Sequence, residues 1–315
     1  MIRITQEESK VLAKELRWFS DFGARYPKGL SSLNMPKAGN LHFFSFKRFN
    51  RLPDLPRGAY LVIDESRDLR QDWIVAIAQN PRLEIAKLTR ILHDKRRRSV
   101  KYKNVKGAYI ADSAHIGSDC YIEPGAFIGD NVVLAKRCEV YANAVLHAGV
   151  RAETKCRFLP GSVIGAYGFG YGLSEKEPSL QIAHLGGVEL GPEVDVGAGT
   201  FISSGTIDPT VVGSGTKLDA HVYVGHNVRI GNGCMIATGS VVGGSSKIGN
   251  GVWLHPGAQI KTKIDIGDNA VIGMGAVVMK GVADGETVMG DVAGEIRKRL
   301  KREAGIDALL RERVR

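Results

Sequence analysis

From Ile110 onward the chain keeps a period that no α-helix can produce. Aliphatic or similar residues recur every six positions at Ile110, Ile116, Ile122, Ile128, Leu134, Val140, Leu146, Ala152, Phe158 and Ile164. A second run gives Leu190, Val196 and Ile202, and a third runs from Val212 through Leu218, Val224 and Ile230 to Val278. Four residues after each of these sits a mostly small residue, as at Ala114, Cys120, Ala126, Val132, Cys138, Ala144, Val150 and Cys156. A period of 3.6 would scatter such columns around a helix, whereas alternation in short strands puts residues i and i+4 on one face. Both columns therefore point inward, and the glycines and polar residues between them turn corners. Three six-residue units make a triangular turn, so each strand pairs with its equivalent one turn later, at a spacing of about 4.8 Å. This predicts a parallel β-helix from about 108 to 283, and it explains why 39 glycines occur with only 7% aromatic residues.

All four cysteines fall in the small inward column, as Cys120, Cys138, Cys156 and Cys234. Their spacing matches no zinc pattern, so they are read as buried core thiols and no metal site is expected. Two interruptions break the period. The segment GAYGFGYGLSEKEPSLQIAHLGGV reads as a glycine-rich, aromatic loop leaving the coil, and ISSGTIDPTVVG reads as a bulge at one corner. Long loops on a rigid scaffold commonly carry function.

Residues 1–104 read as a small α/β domain, residues 105–290 as the β-helix, and residues 291–315 as a helical tail. Thr5 with Glu8 forms a capping box ahead of a helix carrying Val11, Leu12, Leu16 and Phe19. LHFFSF, YLVIDE and IVAIAQ read as strands, and Asn80-Pro81 opens a helix with Leu83, Ile85, Leu88, Ile91 and Leu92 on one side. The six basic residues between Lys95 and Lys103 read as a solvated linker, with no nucleic-acid motif beside them. The net charge of +10 favours acidic partners. The N-terminal residues lack an apolar secretory core, and no apolar run is long enough to span a bilayer. A cytoplasmic protein with at most peripheral membrane contact is expected.

Of the eight histidines, His42 and His93 lie in the first domain, and His115, His147 and His255 sit beside column residues, where surface or corner positions explain them. His226, in VGHNVRIG, lies just past a corner where its ring can reach the groove outside the coil, and Gly244 follows one full turn later. That pairing suggests a base and an oxyanion donor.

VIGAYGFGYG, then IAHLGGVELG, a glycine-threonine slip, LDAHVYVGHNVRIG and GGSSKIG, in that order, resemble the UDP-3-O-acylglucosamine N-acyltransferase family of the lipid A pathway. The similarity extends into the first domain through LHFFSF and AIAQNPRLEIAKLTRIL. The resemblance implies a left-handed coil, a homotrimer with active sites between neighbouring coils, and transfer of a hydroxyacyl chain from acyl carrier protein to the amine of a nucleotide-linked amino sugar. It implies no permanently bound cofactor, the acyl-thioester on phosphopantetheine or CoA being a co-substrate. By motif, His226 falls on the catalytic histidine and Gly244 on the oxyanion glycine, with Asp219 a candidate to polarise His226. Phe169 and Tyr171 fall near the sugar, Phe43 and Ser45 in the uridine-binding segment, and His184 joins the substrate-binding candidates.

Several positions depart from the family pattern: Phe46 for a uridine-contacting asparagine, Tyr167 for an aspartate, and Ala220 for an asparagine. Ser203 and Ser204 replace an aspartate-arginine pair, and Lys263 replaces a second histidine. These changes put the acceptor and donor in doubt more than the acyl transfer. In the tail, Arg297, Lys298, Arg299, Lys301 and Arg302 could meet an acidic carrier. Three alternatives stand beside this reading: an acetyl-CoA-dependent sugar acetyltransferase, suggested by VMGDVAGEIRKR; a zinc hydrolase of the γ-carbonic anhydrase type using His184, His221 and His226; and a non-catalytic scaffold.

Overall fold

Two-residue strands separated by tight corners build the coil from Ala108 to Val288. The computed structural model describes residues 2–290 apart from 23–25, 48–50, 66–68, 98–99 and 174–177. Each strand pairs in parallel with the one a turn away, so that Phe127 stands beside Val145 and Val145 beside Val163. Among the described residues the three faces of the coil hold nine, eight and nine strands, the first extended by an antiparallel strand at Tyr102–Val105. The result is a left-handed parallel β-helix. Both inward columns are core: Ile128, Val140, Leu146 and Phe158 from one, and Ala126, Val132, Ala144 and Cys156 from the other, all have no exposed surface. The cysteines lie where the column places them, Cys138, Cys156 and Cys234 buried and Cys120 half-buried, all as free thiols.

The corners explain the polar residues of the repeat. Three positions after a column residue the backbone turns left-handed, with φ of 53° at Asn131, 58° at Asn143, 59° at Asn227 and 56° at Asn269. Asparagine and glycine tolerate that region best, which is why they punctuate the sequence at this register.

Both interruptions leave the coil. The first forms a small antiparallel hairpin, Tyr171–Gly172 against Leu180–Gln181, before the ladder resumes with Val188 beside Val150. The second is more than a bulged corner. Its Gly205 bridges Gly187, its Ile207 is buried in the core of the N-terminal domain, and its Asp208 accepts a hydrogen bond from Ser32. The loop thus fastens the two parts of the chain together.

The N-terminal domain is a five-stranded sheet with helices packed on it. Strand β1 (Ile2–Arg3) precedes helix α1 (Gln6–Glu15), then come β2 (Gly29–Leu30), β3 (Leu41–Phe43), β4 (Tyr60–Ile63) and β5 (Ile74–Ile77), and α2 (Pro81–Arg97) closes the domain. The strands lie in chain order, with β1 antiparallel to β2 and the rest parallel. The capping box forms, with Glu8 N–H donating to Thr5 Oγ1 at 3.1 Å and Thr5 N–H to Glu8 Oε2 at 2.8 Å. Asn80 caps α2 in the same way, accepting from Leu83 N–H at 3.1 Å.

The basic stretch is not simply a solvated linker. Helix α2 runs into it, and Lys95 and Arg96 form ion pairs with Glu7 and Glu8 of α1 at 2.9 and 2.8 Å. Beyond α2, β6 (Tyr102–Val105) pairs antiparallel with the first coil strand, β7 (Ala108–Ala111). The tail from 291 to 315, with its five basic candidates, lies outside the described residues. Among the described residues no helix is long and apolar enough to cross a membrane.

Candidate active site

His226 follows the strand Tyr223–Val224 and turns outward at a corner of the coil. The same corner one turn later is Gly244, and the two are in contact: a β-carbon on Gly244 would stand 2.9 Å from His226 Cε1 and 3.1 Å from Nδ1. The flanking amides are used by the coil, Gly243 N–H donating to Ile260 O at 2.9 Å and Ser245 N–H to His226 O at 2.8 Å. Gly244 between them lines the cleft together with His226.

The first excursion loop covers the other side of the ring. A β-carbon on Gly168 would lie 2.9 Å from His226 Nδ1, one on Gly170 would lie 3.1 Å from His184 Cε1, and one on Gly172 would lie 2.8 Å from Leu83 Cα. The alternating glycines of YGFGYG are therefore the places where the loop crosses two imidazoles and helix α2. Arg82 Nε donates to Tyr171 O at 2.8 Å and Asn80 Nδ2 to Leu173 O at 2.7 Å, fixing the hairpin to the start of α2.

His184 packs edge-on against His226, ring centroids 5.2 Å apart at 73°. Its Nδ1 donates to Ile182 O at 2.9 Å, which leaves Nε2 as a buried acceptor without a partner. Burial, reinforced by neighbouring His226, pushes the pKa of His184 down to about 4. Burial lowers His226 too, and the positive charge of Arg82 lowers it further. Both imidazoles are thus neutral at pH 7, the state a proton acceptor requires.

A cleft of about 500 Å³ contains His226 and Gly244, with Phe43, Ser45, Phe169 and Arg82 among its walls. It adjoins a second space of about 740 Å³ at the N-terminus of α2, bounded by Ser45, Lys47, Asp64, Arg82, Phe169 and Tyr171. Phe43 packs edge-on against Trp18, ring centroids 5.8 Å apart, and Ser45 donates to Asp64 Oδ2 at 2.5 Å. Phe169 is 82% exposed, with its ring 5.1 Å from that of Tyr171. So the structure gathers His226, Gly244, Phe43, Ser45, Phe169 and Tyr171 around one continuous space, while His184 stands behind His226 and lines a different cavity.

Asp219 is not part of that space. It sits seven residues before His226 at the preceding corner, where its two oxygens accept from Ala220 N–H at 2.7 Å and Thr238 N–H at 3.2 Å. Within the chain its hydrogen bonds are to these corner amides. The zinc alternative fares no better within the chain, because the ring of His221 lies at Asp219's side of the coil, against Gly199. Among the described residues no group of three potential ligands converges on a metal position.

The departures from the family pattern have distinct consequences. Phe46 is a core residue, 7% exposed, with its ring 4.9 Å from that of Phe44. Ser204 ties the slip to the loop, accepting from Gly187 N–H at 2.9 Å. Lys263 keeps a place in the cleft, its N–H donating to Gly244 O at 3.1 Å. Tyr167 is half-buried beside His184, and desolvation pushes its phenol up to about 12. Sequence reasoning missed Arg82, Lys47 and Asp64. The first stands two residues after the α2 cap, and the general rule that anions bind at helix N-termini could have pointed to it.

Comparisons with known protein families bear on the repeat. The model described as bacterial transferase hexapeptide (six repeats) matches residues 113–148, 209–244 and 245–280. The chain carries the hexapeptide repeat of bacterial transferases. It is 29% identical over 232 residues to UDP-3-O-acylglucosamine N-acyltransferase of Coxiella burnetii, covering 66% of this chain and 66% of that protein's length. It is 38% identical over 120 residues to the enzyme of that name from Sinorhizobium fredii, covering 38% of this chain and 28% of the relative. Among solved structures, LpxA from Acinetobacter baumannii shares the fold with a TM-score of 0.55 at 20% identity, over 63% of this chain and 76% of that one. A UDP-N-acetylglucosamine acyltransferase from Francisella novicida also gives 0.55, at 22% identity, over 63% and 72%. The second matched segment carries both His226 and Gly244.

Proposed function

We propose that this hexapeptide-repeat protein is an acyltransferase of the lipid A type, which moves an acyl chain from a thioester to the amine of a nucleotide-linked amino sugar. The observation that carries this reading is a half-buried His226, its pKa lowered by burial, touching Gly244 in the wall of one cleft. The named relatives support the acyl chemistry and a nucleotide-sugar acceptor.

In this reading the nucleotide lies by Phe43 and Ser45, with Lys47 and Arg82 opposite its phosphates, and the sugar reaches inward past Phe169 and Tyr171. The amine attacks the thioester carbonyl. His226 takes the amine proton as the carbon–nitrogen bond forms, the Gly244 N–H donates to the tetrahedral oxyanion, and the thiolate leaves and is protonated. One such backbone donor is worth about 3 kcal/mol of transition-state stabilisation. The thioester, on acyl carrier protein or CoA, is consumed as a co-substrate in the cytoplasm.

A homotrimer fits the surface of the coil. The residues pointing outward from one face are Val145, Val163, Phe201, Tyr223 and Val241, one per turn, with Phe201 stacked on Tyr223 at 5.7 Å. Another face presents Arg151, Glu189, Arg229, Lys247 and Asp265 instead. Parallel sheets are normally covered on both sides, and the apolar face is the one suited to a second copy.

Mass spectrometry tests the reading directly, with purified protein given UDP-linked amino sugars together with hydroxyacyl carrier protein or acetyl-CoA. Sugar gaining the acyl mass supports it and names the donor; unchanged sugar with every pair contradicts it.

A further inference from the structure

We propose that a third cavity, of about 600 Å³, is a separate ligand site for a planar ring bearing an oxyanion. It lies between α2, the first coil strands and the excursion loop, and it shares no lining residue with the cleft that holds His226. Its volume is within the range of small-molecule sites, about 300–1,000 Å³.

Six rings line it: His93, Tyr102, Phe127, His147, Tyr167 and His184. Tyr102 lies 5.2 Å from Phe127 at 34°, and Tyr167 lies 5.9 Å from His184 at 32°. Two such tilted pairs offer ring faces to a flat ligand, for which offset stacking is favourable. An alkyl chain would use none of that directionality.

Charge selects an anion. Arg97 stands in the lining beside Arg96, whose guanidinium is paired with Glu8, and the one carboxylate there, Asp130, is already engaged by Ser113 Oγ at 2.6 Å and Asn131 Nδ2 at 2.9 Å. Arg97 is exposed, with no ion pair among the described residues. A guanidinium so placed suits a carboxylate or a phosphate ester.

The buried end asks for a donor. His184 is 4% exposed, its Nδ1–H is committed to Ile182 O, and its Nε2 acceptor has no partner. A ring hydroxyl reaching Nε2 would satisfy it, since an orphaned buried acceptor is costly. The ligand class is therefore an aryl carboxylate or aryl phosphate with a hydroxyl on the ring. His184 also packs on His226, so an occupant here touches the neighbour of the proposed base.

Isothermal titration calorimetry on the full chain tests this with para-hydroxyphenylacetate and para-hydroxyphenyl phosphate. The neutral para-hydroxyphenylethanol and the hydroxyl-free phenylacetate serve as controls, with and without saturating UDP. We expect at least one anion to bind about tenfold tighter than either control, and Arg97→Gln to lose about that factor. The better anion identifies the source, carboxylate or phosphate. UDP should leave the binding unchanged whether or not UDP itself binds, which separates this site from the proposed transferase cleft. Arg97 is exposed, so its variant should melt like the parent, and Tyr102→Ala, at another wall, should weaken the same ligand. No heat with either anion, equal binding of the neutral phenol, displacement by UDP, or unchanged binding in Arg97→Gln would overturn the proposal.

Discussion

His226 and Gly244 occupy the same corner of consecutive turns, 18 residues apart, and no side chain fits between them. A β-carbon at position 244 would stand 2.9 Å from Cε1 of the imidazole, so Gly244→Ala must push the ring or tilt the corner. We expect the fold to survive and acyl transfer to fall by on order of a hundredfold, the scale of a lost oxyanion donor or misplaced base. Steady-state kinetics beside a thermal melt would show it; full activity in the variant would remove Gly244 from the mechanism.

Arg82 should set the pH at which His226 works. Its positive charge lowers the imidazole pKa, second to burial. Replacing it with methionine raises that pKa, so at a given acidic pH less of the base is neutral. The acid limb of kcat/KM should move to higher pH, a shift in the opposite direction contradicting the assignment.

His184 should make the protein acid-sensitive. Its pKa is about 4 in the folded chain, against about 6.5 when unfolded. Between these values the unfolded chain binds more protons, so the contribution is complete above about pH 6.5 and is lost as pH falls toward 4. From pH 7 to 5, His184→Gln should lose about 2 kcal/mol less stability than the parent, as read by urea unfolding at both values.

Phe158 is the largest side chain with no exposed surface inside the coil. Phe158→Ala should cost about 3–5 kcal/mol, because stacked turns on either side limit how far the cavity can collapse. Chemical denaturation measures this, and a loss below 1 kcal/mol would mean that the coil repacks locally.

The coil was legible because its repeat is a direct image of its geometry: one inward residue, one small inward residue, one corner that favours glycine or asparagine. The first capping box and the Asn80 cap were legible for the same reason, since each is a local exchange of hydrogen bonds. Strands β1 and β2 were not, because two residues carry no period. Arg82, Lys47 and Asp64 were hidden because the cleft brings together β3, β4, α2 and two coil corners that are distant in sequence.

The central claim is that His226 is the proton acceptor in acyl transfer. Its direct test is the single-turnover rate of transfer from acyl-carrier thioester to a UDP-linked amino sugar, measured for the parent and His226→Ala across pH. We expect the variant to be slower by about a hundredfold to ten-thousandfold, with the acid limb below pH 6.5 abolished and substrate binding retained. A variant that keeps the parent's rate and acid limb would show that the base lies elsewhere.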